Sequence, residues 1–228
     1  MIVLLLATSV GFAQVWENPC KARPELKTGL DAGLVKWAGG MEGPRFVEAM
    51  SSSHLAPTGT APPVSDPEGI DEPFAVRDAW TCMYGAPRLL DGKPETAWAE
   101  GAPGPGIGEV VLLGGRSEGP LEIWAGYGKS AKLHAANPRP RQIEVLVLAR
   151  GPMVPVDPGT PYQDNRVIAR RVVELADLNG YQPLPLPELP AGTADADRAF
   201  IALRILSVYP GTKWEDTCIS EVRRRPAG

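Results

Sequence analysis

Histidine and cysteine are scarce in this 228-residue chain, with two of the first and three of the second. His54 and His134 stand far apart, and Cys20, Cys82 and Cys218 form no CxxC pair, which argues against a zinc site. There is no GxSxG elbow, no HExxH and no phosphate-binding P-loop. Gly104 to Gly108 is glycine-rich but precedes a strand rather than a helix, so it lacks the context of a phosphate cradle. An excess of basic charge is also missing. Lys plus Arg is 23 against 27 Asp plus Glu, a formal −4, which argues against sequence-independent nucleic-acid binding. No stretch approaches the ~20 apolar residues of a membrane-spanning helix. Two acidic pairs, Glu100 with Glu109 and Glu215 with Asp216, have the residue types of a glycoside hydrolase. Their position in turns reads instead as solvated acids, and no enzyme is expected.

What the chain has in quantity is glycine and proline, 25 of each, together nearly twice the usual ~12% share. That composition disfavours long helices and favours short strands joined by turns. Hydrophobic content of 43% is too high for a disordered chain. Leu121 and Ile123 alternate with Glu122 and Trp124, the pattern of a half-buried strand. Gln142 to Ala149 is apolar on both parities at its centre, as in an interior strand. Glu109–Leu113, Val167–Leu175, Phe200–Val208 and Cys218–Val222 are further strands, and Arg45–Met50 has strand-like content. Residues 183–190 read PLPLPELP; proline lacks the N–H that a ladder needs, so this is an edge or a linker. Seven to nine short strands predict an all-β, antiparallel sandwich.

Ile2 to Ala13 is an apolar run of signal-peptide length, with Gly11 and Ala13 as the small residues before a cut at Gln14. It lacks a basic n-region, and the competing reading is a buried N-terminal strand. The predicted organisation is a signal peptide at 1–13, an N-terminal extension at 14–43 with a short helix from Gly29 to Trp37, and a sandwich domain at 44–224. A proline-rich surface insertion occupies about 57–73. Export allows one disulfide and leaves one thiol.

Three blocks carry a family resemblance. Leu89 to Trp98 reads LLDGKPETAW, Ala99 to Glu109 continues it, and Ile205 to Glu221 reads ILSVYPGTKWEDTCISE. Together they resemble the NAD-glycohydrolase translocation domain, a discoidin-like, coagulation factor 5/8 type C module. Gly126 to Ser130 and Ala136 to Arg141 support it, although Ala125-Gly126-Tyr127 stands where the family usually has Asn-Gly-Tyr. The insertion before Asp91 is longer than usual. The resemblance covers about 45–223 and implies a discoidin-like jelly roll of galactose-binding type. In the family's best-known setting the domain accompanies a separate NAD-glycohydrolase, so the resemblance implies a binding module rather than NAD cleavage.

The resemblance also implies roles for particular residues. Asp91, Thr96, the Lys93 carbonyl and Glu221 would wrap one structural calcium ion, which favours such oxygens. The other reading is that Asp91 and Thr96 hydrogen-bond the loop and Glu221 pairs with an Arg. In either case Asp91 and Glu221 are expected to approach. Tyr209 and Trp214, flanking Pro210-Gly211, offer a flat surface for a sugar ring. Asn137, Arg139 and Arg141 offer donors, or else line a solvated loop with one structural Arg. Trp98 is expected to plug the core. Trp124 points outward, to stack on a sugar or to pack under the N-terminal extension. Cys218 sits in the last family-like block, where a thiol packs as a small hydrophobe, leaving Cys20–Cys82 as the bridge. The expected function is an exported, secreted, periplasmic or cell-surface module that binds a glycan or another cell-surface component. The alternative is a structural or protein-interaction module without a sugar site.

Overall fold

The computed structural model describes residues 18–37, 49–63, 75–114, 120–155, 162–193 and 198–225. The expected signal peptide lies outside them. Helix α1 (Glu25–Asp31) comes first and ends at Gly33, whose φ of 73° suits glycine. The helix expected over 29–37 is therefore displaced. Leu34–Trp37 is strand β1 instead, with Leu34 opposite Arg166 and Val35 opposite Asn165.

Strand β2 (Ala49–Ser51) follows. Helix α2 (Ala75–Thr81) comes next, a short helix where the sequence showed no helical pattern. Next come β3 (Trp98–Ala99), β4 (Val110–Gly114), β5 (Leu121–Ala125) and helix α3 (Ala131–Ala136). Strands β6 (Arg139–Ala149), β7 (Met153–Val154), β8 (Tyr162–Glu174), β9 (Gln182–Leu184), β10 (Arg198–Tyr209) and β11 (Cys218–Arg224) complete the chain.

Among the described residues the strands form two sheets, and every pair between named strands is antiparallel. The larger runs β1-β8-β6-β10-β4-β2, with β7 also on β8; the smaller runs β3-β11-β5-β9. The molecule is mostly β, a sandwich of two antiparallel sheets. β9, with Pro183 at its centre, is the smaller sheet's edge, where a missing N–H is tolerated.

The core between the sheets sets Val111, Val145, Val147, Ile201 and Leu203 with Ile123, Ile219, Val222 and the fully buried Trp98. The other face of the larger sheet is apolar too. Leu112, Leu146, Leu148 and Ala202 lie under Leu26 and Leu30 of α1 and Val35 of β1. That second layer explains why β6 is apolar on both parities. Each leucine buried there contributes about 1.5–3 kcal/mol. The Cys20–Cys82 disulfide ties this N-terminal segment to the start of the family-like region, and Cys218 is a buried free thiol.

Candidate functional site

The Asp91 turn reverses at Gly92, which has φ 73°. Asp91 receives the Lys93 N–H at 3.0 Å, and the Thr96 hydroxyl lies 2.9–3.0 Å from both its oxygens. Thr96 Oγ1 is also 2.8 Å from the Lys93 carbonyl. The Gly92 N–H donates to Glu221 Oε2 at 2.8 Å. Loop and last strand, 129 positions apart at that bond, are thus joined in one network. Arg88 adds a cation 3.3 Å from Asp91, and its other nitrogens donate to the Cys82 and Ala79 carbonyls. This arginine couples the disulfide segment to the turn.

A second group of side chains gathers where β6 begins and β8 and β10 end. Ser130 caps α3 by accepting the Leu133 N–H, and β10 runs out at Tyr209 opposite Arg139. The Arg139 guanidinium lies 5.7 Å from the Tyr209 ring centroid and forms a two-pronged ion pair with Asp177. That pairing, first among the causes, holds the Asp177 carboxyl below its usual range. Arg141 flanks the same ring at 5.9 Å, and the Tyr209 hydroxyl donates to the Leu175 carbonyl at 2.9 Å. The loop after β10 is pinned to α3: Thr212 donates to the Ala135 carbonyl, and Lys213 and Trp214 to that of Ala136. Trp214 is 47% exposed, and the Lys213 ammonium sits 4.4 Å from its ring centroid.

The structure therefore brings Tyr209 and Arg139 together and sets Trp214 on the adjoining loop. Asn137, between α3 and β6, is buried, and its side chain donates back to the Leu133 carbonyl at 2.8 Å. It caps α3 and has no free face for a ligand. Trp124 points away from the core and packs edge-on to Tyr181, with centroids 5.0 Å apart. Its indole N–H donates to Asn179, and Gly128 lies close against its ring. The N-terminal segment covers the opposite sheet, so Trp124 does not pack beneath it.

Sequence reading missed the loop after β8. Asp177 grips Arg139, Leu178 is exposed, Asn179 holds Trp124, and Tyr181 stacks under Arg223 with the guanidinium 3.3 Å from the ring centroid. The Asn179-Gly180 pair is the turn signal that marks it.

Two acids expected in solvent are buried. Glu109 accepts from Lys27 at 2.7 Å, Ser52 at 2.6 Å and Ser53 at 2.5 Å. Burial alone would raise its pKa, but those donors bring it below the ordinary value. Glu100 has no exposure and is pushed up to about 7, first by burial and further by Asp216 and Glu109. Both carboxylates are committed internally, which is not the open flank a glycoside hydrolase needs.

A two-sheet antiparallel sandwich with its aspartate-glycine turn bonded to the last strand is the architecture of an F5/8 type C module. The chain belongs to the NAD glycohydrolase translocation F5/8 type C domain family, whose model matches residues 75–224. Comparison with curated proteins gives no match. Among solved structures the chain is similar to arabinofuranosyltransferase AftD from Mycobacteria, at 13% identity and a TM-score of 0.41. That alignment covers 76% of this chain, which spans 10% of the AftD chain. It is also similar to the CBM32 of AlyQ in complex with 4,5-unsaturated mannuronic acid, at 11% identity and a TM-score of 0.31. There, 60% of this chain and 81% of the other are covered. A Ruminococcus gnavus GH29 fucosidase matches at 16% identity and a TM-score of 0.27 over 61% of this chain and 22% of its own.

Proposed function

We propose that this protein is an exported, non-catalytic binding module that recognises carbohydrate on a cell surface through the loops at one end of its sandwich. The observation that carries this reading is the grouping of Tyr209, Arg139 and Asp177 beside an exposed Trp214. A sugar needs a flat apolar surface for its C–H face and fixed polar groups for its hydroxyls. Trp214 offers the first, and the Asp177 carboxylate, partly exposed and held in place by Arg139, offers the second. Loops held by rigid strands are the usual place for such residues. The Cys20–Cys82 bridge is consistent with an oxidising, extracellular compartment. One observation favours protein recognition instead: Asn137 is spent on α3, which leaves fewer polar donors than the sequence suggested. A glycan array with purified protein separates the two. A preferred glycan class supports the sugar reading, and binding to none supports the protein-interaction reading.

The calcium implied by the family fits the donor set of the Asp91 turn. The single Thr96 hydroxyl proton faces three oxygens within 3.0 Å, the two of Asp91 and that of Lys93. One proton serves one or two of them, and a cation would serve all. Among the described residues no cluster of three or more His, Cys, Asp or Glu side chains is placed for a metal. The ion would therefore rest on Asp91, Glu221, the Lys93 carbonyl and Thr96. It would supply a cross-link between turn and last strand and take no part in ligand chemistry.

A further inference from the structure

The larger sheet has an edge that is only half paired. β1 takes up residues 163–166 of β8, the Val167 N–H reaches the Gly33 carbonyl at 3.0 Å, and β7 lies opposite Tyr162 and Gln163. Among the described residues no strand lies beside 170–174 on the side away from β6. The backbone direction there follows from one bond. The Leu175 N–H donates to the Arg141 carbonyl at 2.7 Å, toward β6. Successive residues of a strand turn their N–H and C=O groups to opposite sides. Val173 and Arg171 therefore also face β6, while Glu174, Val172 and Arg170 offer theirs to the open edge. The side chains of those three share the outer face of the sheet, because Val173 and Ala169, of the other parity, pack into the core between the sheets. Val172 is 58% exposed.

Sheet edges are commonly protected by charges and bulges, and this one has both. The register with β6 shifts at Ile168, and Arg170 and Glu174 stand on either side of Val172. The order of those charges suits one partner. Laid antiparallel on itself about Val172, the edge sets Arg170 of each copy opposite Glu174 of the other, with the two Val172 side chains together at the centre. All three pairs are of the hydrogen-bonded kind, since every member faces the edge. A twofold axis at Arg170 or Glu174 would set like charges together, one at Arg171 would oppose the two Arg171 side chains, and one at Val173 matches no charges. Facing residues have Cβ atoms about 4.5–5.5 Å apart, near enough for opposite charges to attract and like charges to repel. The charges are available for this. Glu174 lies 3.4 Å from Arg141 and Arg170 3.6 Å from Glu144, and ion pairs as exposed as these contribute little. Arg170 also donates to the Leu30 carbonyl at 3.0 Å, which leaves further guanidinium N–H groups for a new carboxylate.

We propose that the open half of β8 is the contact surface for a second copy of this chain, joined edge to edge in an antiparallel, twofold-symmetric pair centred on Val172. A single strand edge is a small interface, so the dimer is weak and forms with rising concentration. The pairing belongs to the sheet edge and does not depend on a glycan; where a glycan is bound, two modules so joined gain by avidity.

Sedimentation velocity over a concentration series tests it. The wild type is expected to pass reversibly from monomer to dimer. Arg170→Glu and Glu174→Arg each make both charge pairs repulsive and should raise the dimer dissociation constant at least about tenfold. Mixed together, the two variants should pair with each other at close to the wild-type affinity, because every charge then meets its opposite. That recovery also shows both to be folded. Should either variant fail to fold, amide hydrogen exchange on the wild type takes its place. Protection at Arg170, Val172 and Glu174 is expected to rise severalfold with protein concentration, and protection independent of concentration contradicts the pairing. A wild type that stays monomeric up to about 1 mM, or a dimer that both single variants form equally well, would overturn the proposal. The first of these results would leave the edge to an extended strand of another protein. Neither outcome touches glycan binding by the single module.

Discussion

At the scale of single residues, two tryptophans separate fold from function. Trp98 is fully buried between the sheets, with its indole N–H on the Ser53 carbonyl, and Trp98→Ala is expected to cost about 3–5 kcal/mol. Trp214 projects from its loop, and Trp214→Ala is expected to change stability by less than about 0.5 kcal/mol. Chemical denaturation of the two variants checks both values; a large loss at Trp214 would make it a packing residue. Glu109 gives a pH test. Its folded pKa is depressed, so its contribution is present above the ordinary 4.5 and is lost as pH falls through the folded value. The thermal midpoint below pH 4.5 should therefore drop more steeply in the wild type than in Glu109→Gln. Parallel slopes would remove Glu109 as the cause. The Trp98 and Cys218 environments were legible because a core residue announces itself by type and position. The burial of Glu100 and Glu109 was not, because an acid in a turn looks solvated until tertiary donors such as Lys27 and Ser52 arrive from distant segments.

At the scale of elements, the N-terminal segment belongs to the larger sheet. α1 is seven residues long, too short to persist alone, so its stability comes from Leu26 and Leu30 against β4, β6 and β10. Leu30→Ala is expected to cost about 2–5 kcal/mol, measured by equilibrium unfolding, whereas a value near zero would mean α1 is not docked. Reducing Cys20–Cys82 should cost about 2–5 kcal/mol; an unchanged midpoint under reductant would contradict its anchoring role. The main strands were legible from alternation and apolar runs, and the approach of the Asp91 turn to Glu221 from the family-like motifs. α2 and the start of β1 were not. Ala75 to Thr81 shows no clear 3.6-residue period, since its polar and apolar residues are mixed and only Thr81 is buried. β1 depends on pairing with β8, some 130 positions away, which no local pattern reveals.

At the scale of the whole molecule, the sandwich is a rigid frame whose end loops carry the candidate ligand surface and whose Asp91 turn closes the last strand. Calcium tests the second feature. Adding it to metal-free protein should raise the thermal midpoint, and Asp91→Asn should abolish the rise. An unresponsive midpoint would leave hydrogen bonds alone as the fastening. The grouping of Tyr209, Trp214 and Arg139 was legible as to place, because all three flank turns. It was illegible as to membership, because Asp177 and Asn179 reach it only through the fold, and Asn137 turns inward. The most direct test of that surface is a binding isotherm for the glycan preferred on the array, run on wild type and Trp214→Ala, with thermal midpoints on the same samples. An aromatic contact of about 1 kcal/mol would make binding severalfold weaker in the variant at an unchanged midpoint. Equal affinity in the two proteins, or no glycan bound by either, would contradict the account.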